Sequence, residues 1–95
     1  MNNIASKSSV HIIIKGKVQG VSFRYFTLNE AQKLNIVGWV RNKPDGNVEA
    51  VAQGDETKLE LFINILKQGS SFSRVDNVAL DWEHVEQDYT EFAIV

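Results

Sequence analysis

Arg24 and Asn42 are the two side chains of this 95-residue sequence whose type and setting point to chemistry on an anion. Arg24 closes the segment Gln19-Gly20-Val21-Ser22-Phe23-Arg24, which runs from a predicted strand into a predicted helix. The first N–H groups of a helix have no intrahelical partner, and the helix dipole places partial positive charge on them. Gly20 lets the backbone bend so that successive N–H groups converge. Arg24 falls in the first helical turn, where its guanidinium fork can grip two phosphate oxygens at once. Gln19, Gly20, Val21, Ser22, Phe23 and Arg24 therefore form a candidate phosphate-binding cradle. The competing reading is an ordinary turn beside a solvated charge. The long glycine-lysine loop of nucleotide-binding proteins is absent.

Asn42 ends a predicted strand just before a turn. A carboxamide accepts and donates hydrogen bonds at once, so it can orient a nucleophilic water without deprotonating it. Taken by itself, it reads more readily as a turn residue bonded to its own backbone. His11 and His84 belong to no motif and read as surface strand residues. Trp39 and Trp82 read as strand core or half-core. Lys17, Arg41 and Lys43 read as solvated charges, and residues 83–91 as an exposed acidic face.

The elements that must position these groups are visible in the pattern. Val10-His11-Ile12-Ile13-Ile14-Lys15 predicts a strand buried on both faces. Phe23, Phe26, Thr27, Glu30, Ala31 and Leu34 share one helical face, and Asn35 can take the left-handed conformation that closes a helix. Residues 37–42 and 47–53 predict a hairpin around Lys43-Pro44-Asp45-Gly46, a strong turn sequence. Asp55 suits an N-cap, and Leu59, Phe62, Ile63 and Leu66 mark a second helix. Val78, Leu80 and Trp82 alternate with polar residues in a fourth strand, and residues 92–95 suit a short fifth. This order predicts an α+β, ferredoxin-like α/β sandwich: an antiparallel sheet of four to five strands with two helices on one face.

The hydrophobic fraction of 43% and this length suit one domain, here residues 9–95 after a flexible arm over residues 1–8. The chain has no cysteine, which excludes disulfides, thiolate metal sites and thiol nucleophiles and is compatible with a cytoplasmic setting. No apolar run resembles a signal peptide or a membrane span. The net charge of -2 argues against a nucleic-acid partner. Residues 1–48 carry seven Lys or Arg against Glu30 and Asp45. That asymmetry suits an anionic ligand, unless the two halves of the chain interleave in space.

Gly16-Lys17-Val18-Gln19-Gly20-Val21-Ser22-Phe23-Arg24, then Ala31, Gly38-Trp39-Val40-Arg41-Asn42 and Asp45-Gly46-Asn47-Val48-Glu49 closely resemble acylphosphatases. The similarity runs from Val10 to the C-terminus and is weakest after Gly69. The resemblance implies hydrolysis of the mixed anhydride between a carboxylate and phosphate. The loop 19–24 would hold the phosphoryl group through backbone N–H groups and Arg24, and Asn42 would position the attacking water. It implies a five-strand antiparallel sheet and no metal or cofactor. Asn35 stands where many members have Gly. Ser22 stands at a variable position, where we expect its hydroxyl to start the helix rather than touch phosphate.

The chemistry is consistent with these residues. A carboxylate leaving group, with a conjugate acid of pKa about 4 to 5, departs without a general acid. An alkyl phosphate would want an acid or a metal, and neither a metal-ligand cluster nor a Ser-His-Asp arrangement is evident. The expected partners are a small acyl phosphate as substrate and inorganic phosphate as product, acted on by a monomer. The alternative is a non-catalytic ferredoxin-like module that binds phosphate or another ligand.

Overall fold

A computed structural model describes residues 7–83 and 87–95. Seven elements follow in the order β1 (Lys7–Lys17), α1 (Phe23–Lys33), β2 (Val37–Asn42), β3 (Val48–Asp55), α2 (Glu56–Gln68), β4 (Arg74–Trp82) and β5 (Phe92–Ile94). The five strands form one sheet in the order β4-β1-β3-β2-β5, and this is the α+β ferredoxin-like arrangement. β1 takes in Lys7 and Ser8, which the sequence assigned to the arm. His84 lies outside the described residues.

One sheet face carries both helices. Val10, Ile12 and Ile14 of β1, Val40 of β2, and Val48, Ala50 and Ala52 of β3 meet Phe23 and Ala31 of α1 and Leu59, Phe62, Ile63 and Leu66 of α2 in a single core. α1 lies over β2 and β5, and α2 over β3, β4 and β1. The period-two alternation puts His11 and Ile13 on the opposite face, where both are only half-buried. The expectation that β1 is buried on both faces is thus corrected, because no helix covers that second face. The edge strand β4 is partly exposed even on the helix-covered face. Leu80 and Trp82 stand opposite Ile12 and Val10, yet remain 38% and 44% exposed.

Strand direction sets the geometry of the site. β1 and β2 each pair antiparallel with β3, so they run the same way. Their C-terminal residues, Lys17 and Asn42, therefore reach the same end of the sheet. β4 pairs antiparallel with β1 and ends at Trp82, opposite Val10, at the other end. A strand that starts from there beside β2 must run with it. β5 accordingly pairs parallel, with Phe92, Ala93 and Ile94 opposite Gly38, Trp39 and Val40. The sheet is therefore mixed, with one parallel pairing that the expected antiparallel sheet did not include.

Local chemistry explains the connections. The Asp55 side chain accepts from Lys58 N at 3.3 Å and caps α2. Asn35 follows α1 with φ 56°, in the left-handed conformation. Lys43 N donates to Asn47 O at 2.8 Å and Gly46 N to Lys43 O at 3.2 Å, closing the β2–β3 turn. Asp45 Oδ1 accepts from Asn47 N at 3.0 Å within it. Gln53 is buried but fully engaged. Its Nε2 donates to Gln87 O at 2.7 Å and its Oε1 accepts from Tyr89 N at 3.2 Å, tying the approach to β5 against the sheet.

Candidate active site

The candidate site begins where β1 ends. The β1–β4 register shifts between Lys15 and Gly16, a bulge three residues ahead of the loop. Gly16 has φ 141°, and a Cβ there would lie 2.0 Å from Arg74 O, so only glycine lets the two strands approach this closely. Beyond the bulge, Val18 is buried and pins the chain to the core before it turns.

The loop then takes an uncommon backbone path. Gly20 has φ 74° and Ser22 φ 61°, with Val21 between them at negative φ. Alternation of this kind turns successive N–H groups toward one concavity. No N–H of residues 20–24 donates to a backbone acceptor of the described residues. The first helical bond of α1 is Phe26 N to Ser22 O, at 3.0 Å. These unclaimed donors stand at the positive end of the α1 dipole. Ser22 is the N-cap by position, but its hydroxyl makes no capping bond. The helix starts here without the side-chain cap expected of Ser22, because left-handed Ser22 lacks the extended backbone that a side-chain cap needs.

Arg24 follows in the first turn of α1. It is half-buried and makes no hydrogen bond or ion pair with the described residues. The other two arginines are both engaged: Arg41 Nε with Glu49 Oε1 at 2.6 Å and Arg74 Nε with Asp76 Oδ1 at 2.9 Å. The charge of Arg24 is the uncommitted guanidinium among the described residues.

Asn42 lies at the same end of the sheet. It is two residues beyond core Val40 and stands opposite Val48, so it belongs to the helix-covered face. Its Oδ1 is buried and accepts no hydrogen bond from the described residues. An acceptor so placed carries a desolvation cost of about 1–3 kcal/mol until a donor reaches it. The alternative of a turn residue bonded to its own backbone is not what the structure holds. Asp45 makes that bond instead.

A direct link joins loop and hairpin. Gln19 Nε2 donates to Lys43 O at 2.7 Å and to Asn47 O at 2.8 Å. Gln19 therefore stands in the cradle by its backbone, while its side chain is committed to the turn. Nothing in the residue type announces this, because the reach depends on which strand end lies opposite.

The remaining charged groups lie elsewhere. On the uncovered face, His11 Nε2 and Arg41 Nε both bind Glu49, each at 2.6 Å. Burial alone would push the Glu49 carboxyl up, but the hydrogen bonds and charges of His11 and Arg41 outweigh it and hold the carboxyl below its ordinary range. His11 is thus a partner in a network and not a lone surface residue. A cavity of about 680 Å³ lies at the far end of the sheet, lined by Lys7, Ser9, Glu56, Glu60, Trp82 and Asp88 among others. Its carboxylates suit a phosphoryl group poorly. Among the described residues no group of three or more His, Asp or Glu is placed to hold a metal ion, and no helix is long and apolar enough to cross a membrane.

Fold and candidate site together define a class: a ferredoxin-like α/β sandwich with unclaimed N–H donors at the start of its first helix. Comparison with known proteins narrows it. The family model described as Acylphosphatase matches residues 10–94. The acylphosphatase of Geobacillus thermodenitrificans is 42% identical over 86 residues, covering 90% of this chain and 92% of that protein. The acylphosphatase of Bacillus subtilis is 43% identical over 84 residues, covering 88% and 92%. The crystal structure of acylphosphatase from Bacillus subtilis superimposes with a TM-score of 0.90 at 41% identity, over 93% of this chain and 98% of that one. Full-length HypF, in its phosphate- and nucleotide-bound form, superimposes with a TM-score of 0.87 at 32% identity, over 100% of this chain and 12% of that one. The chain belongs to the acylphosphatase family, and it is a hydrolase.

Proposed function

We propose that this acylphosphatase hydrolyses small acyl phosphates by direct attack of a water molecule on phosphorus. The N–H groups of the 20–24 loop and the guanidinium of Arg24 receive the phosphoryl oxygens. Asn42 Oδ1 accepts one O–H of the water, which turns an oxygen lone pair toward phosphorus. The new P–O bond forms as the bond to the acyl oxygen breaks. The carboxylate leaves with the bonding pair, and the water proton passes to solvent or product. No general acid is needed, because the leaving group is already a weak base. Phosphoryl transfer of this kind depends on position and charge stabilisation, which a cradle, a fixed cation and a water-holder supply.

The observation that carries the reading is the orphaned Asn42 Oδ1 on the sheet end where the loop donors are also unclaimed. The test uses benzoyl phosphate and an alkyl phosphate in the presence of chelator. Hydrolysis of the first alone is expected. Retained phosphate binding without turnover would instead mark a non-catalytic module. The same reading takes the protein as a cytoplasmic monomer, since small acyl phosphates are multiply charged anions that a bilayer excludes. Sedimentation at a dimer's mass would overturn that state.

A further inference from the structure

The Gln19 carboxamide stands at the head of the loop and is turned to the β2–β3 turn. Both of its acceptors, Lys43 O and Asn47 O, are carbonyl oxygens. A flipped amide would set oxygen against oxygen, so the NH2 must face them, and its two N–H bonds are both used. Those same carbonyls also accept from Gly46 N and Lys43 N, so one side chain clamps both ends of the turn. The first clamped carbonyl is one residue from Asn42. Among the described residues, no other hydrogen bond joins residues 18–24 to residues 42–47. Gln19 is their sole polar link.

We propose that Gln19 is a positioning residue for hydrolysis: its side chain straps the cradle to the β2–β3 turn and so sets Asn42 at working distance from the bound phosphoryl group. The proposal rests on the hydrolase reading above. Its logic is geometric. The cradle fixes phosphorus and the hairpin fixes the water, and they sit on separate segments. A displacement of about 1 Å between reacting groups can cost about 100-fold in rate. The Gln19 side chain takes no part in binding phosphate, because both of its donors are spent.

The test is a double-substitution cycle with Gln19→Met, which keeps the length and removes both donors. In the wild-type background, kcat on benzoyl phosphate should fall by about 10- to 100-fold. The inhibition constant of inorganic phosphate should stay within about twofold, because cradle and Arg24 remain. In the Asn42→Ala background, the same substitution should change kcat by less than about twofold, because its effect runs through Asn42. A fall by the same factor in both backgrounds would overturn the strap. So would a tenfold-weaker phosphate inhibition constant with kcat kept, which would make Gln19 a direct ligand. Thermal unfolding checks each variant. If Gln19→Met does not fold, Gln19→Asn carries the same cycle, since the shorter amide cannot span both carbonyls. Full activity of either variant removes the strap and leaves the hydrolase reading intact. No turnover by the wild type removes both.

Discussion

His11, Glu49, Arg41, Trp39 and Tyr89 on the uncovered sheet face satisfy one another, whereas Arg24, Asn42 Oδ1 and the N–H groups of residues 20–24 satisfy nothing in the described chain. On the uncovered face, Glu49 accepts from His11 and Arg41. Arg41 also lies 5.7 Å from the centre of the Trp39 ring, and Trp39 Nε1 donates to the Tyr89 hydroxyl at 3.1 Å. Both regions are rich in polar groups. They differ in whether those groups are closed on each other. A closed network stabilises the fold. In the open set, buried Asn42 Oδ1 bears a desolvation cost until a donor reaches it, and the loop N–H groups and Arg24 are left for water or a ligand. An orphaned buried atom alone does not mark a site, since Ser70 Oγ is one as well; what distinguishes Asn42 Oδ1 is the uncommitted Arg24 and the unclaimed loop N–H groups at the same end of the sheet.

The comparison can be broken from either side. Arg24→Gln should have the largest effect, lowering kcat/KM on benzoyl phosphate by about 100-fold or more, at least about 3 kcal/mol, and weakening phosphate inhibition as well. Near wild-type kinetics would mean the uncommitted charge is only solvated. Asn42→Ala should lower kcat by about 100-fold while phosphate inhibition holds within about twofold. A loss of phosphate affinity there would turn Asn42 into a phosphate ligand. Gly20→Ala should cost about 1 kcal/mol of stability, because a Cβ at φ 74° is strained although it meets no atom within 4 Å. Weaker phosphate inhibition should accompany it, and unchanged inhibition would separate the left-handed turn from the cradle.

The closed face should respond in stability alone. Glu49→Gln should lower stability at neutral pH by about 1 kcal/mol and leave kcat unchanged. Its pH dependence follows from the direction of the shift. The folded carboxyl is held below its ordinary value of 4.5, so the stability it contributes is present above that value. That stability is lost as pH falls through the folded value. The gap between wild type and variant, read from denaturant midpoints, should therefore close in acid. A gap that stayed constant or widened below pH 4.5 would remove the network as its source.

What the sequence made legible was local. The Asp55 cap, left-handed Asn35, the Pro44-Asp45-Gly46 turn and the apolar face of α2 each depend on a few adjacent residues. Arg24 and Asn42 were candidates by type and motif, and the sheet brings their segments to one end. The rest depends on neighbours far along the chain. One-sided burial of β1 follows from where the helices pack. The parallel pairing of β5 follows from the sheet end at which β4 finishes. The roles of Gln19 and Glu49 follow from which strand ends and faces meet. Ser22 differs again: its type predicts a capping hydroxyl, and the left-handed backbone around it makes that bond unavailable.

The position of β1 in the sheet has a consequence in time. The cradle hangs from its end, and β1 is held by β3 on one side and β4 on the other. Cradle and Asn42 are both made by the time residue 47 leaves the ribosome. The second neighbour of their anchoring strand is complete only at Trp82. A nascent chain stalled before Arg74 therefore carries every group of the candidate site on a sheet that lacks both edge strands, β4 beside β1 and β5 beside β2. Ligand affinity in such a chain should arrive late, with the closing of the β1–β4 and β2–β5 pairs, instead of accruing as the residues emerge.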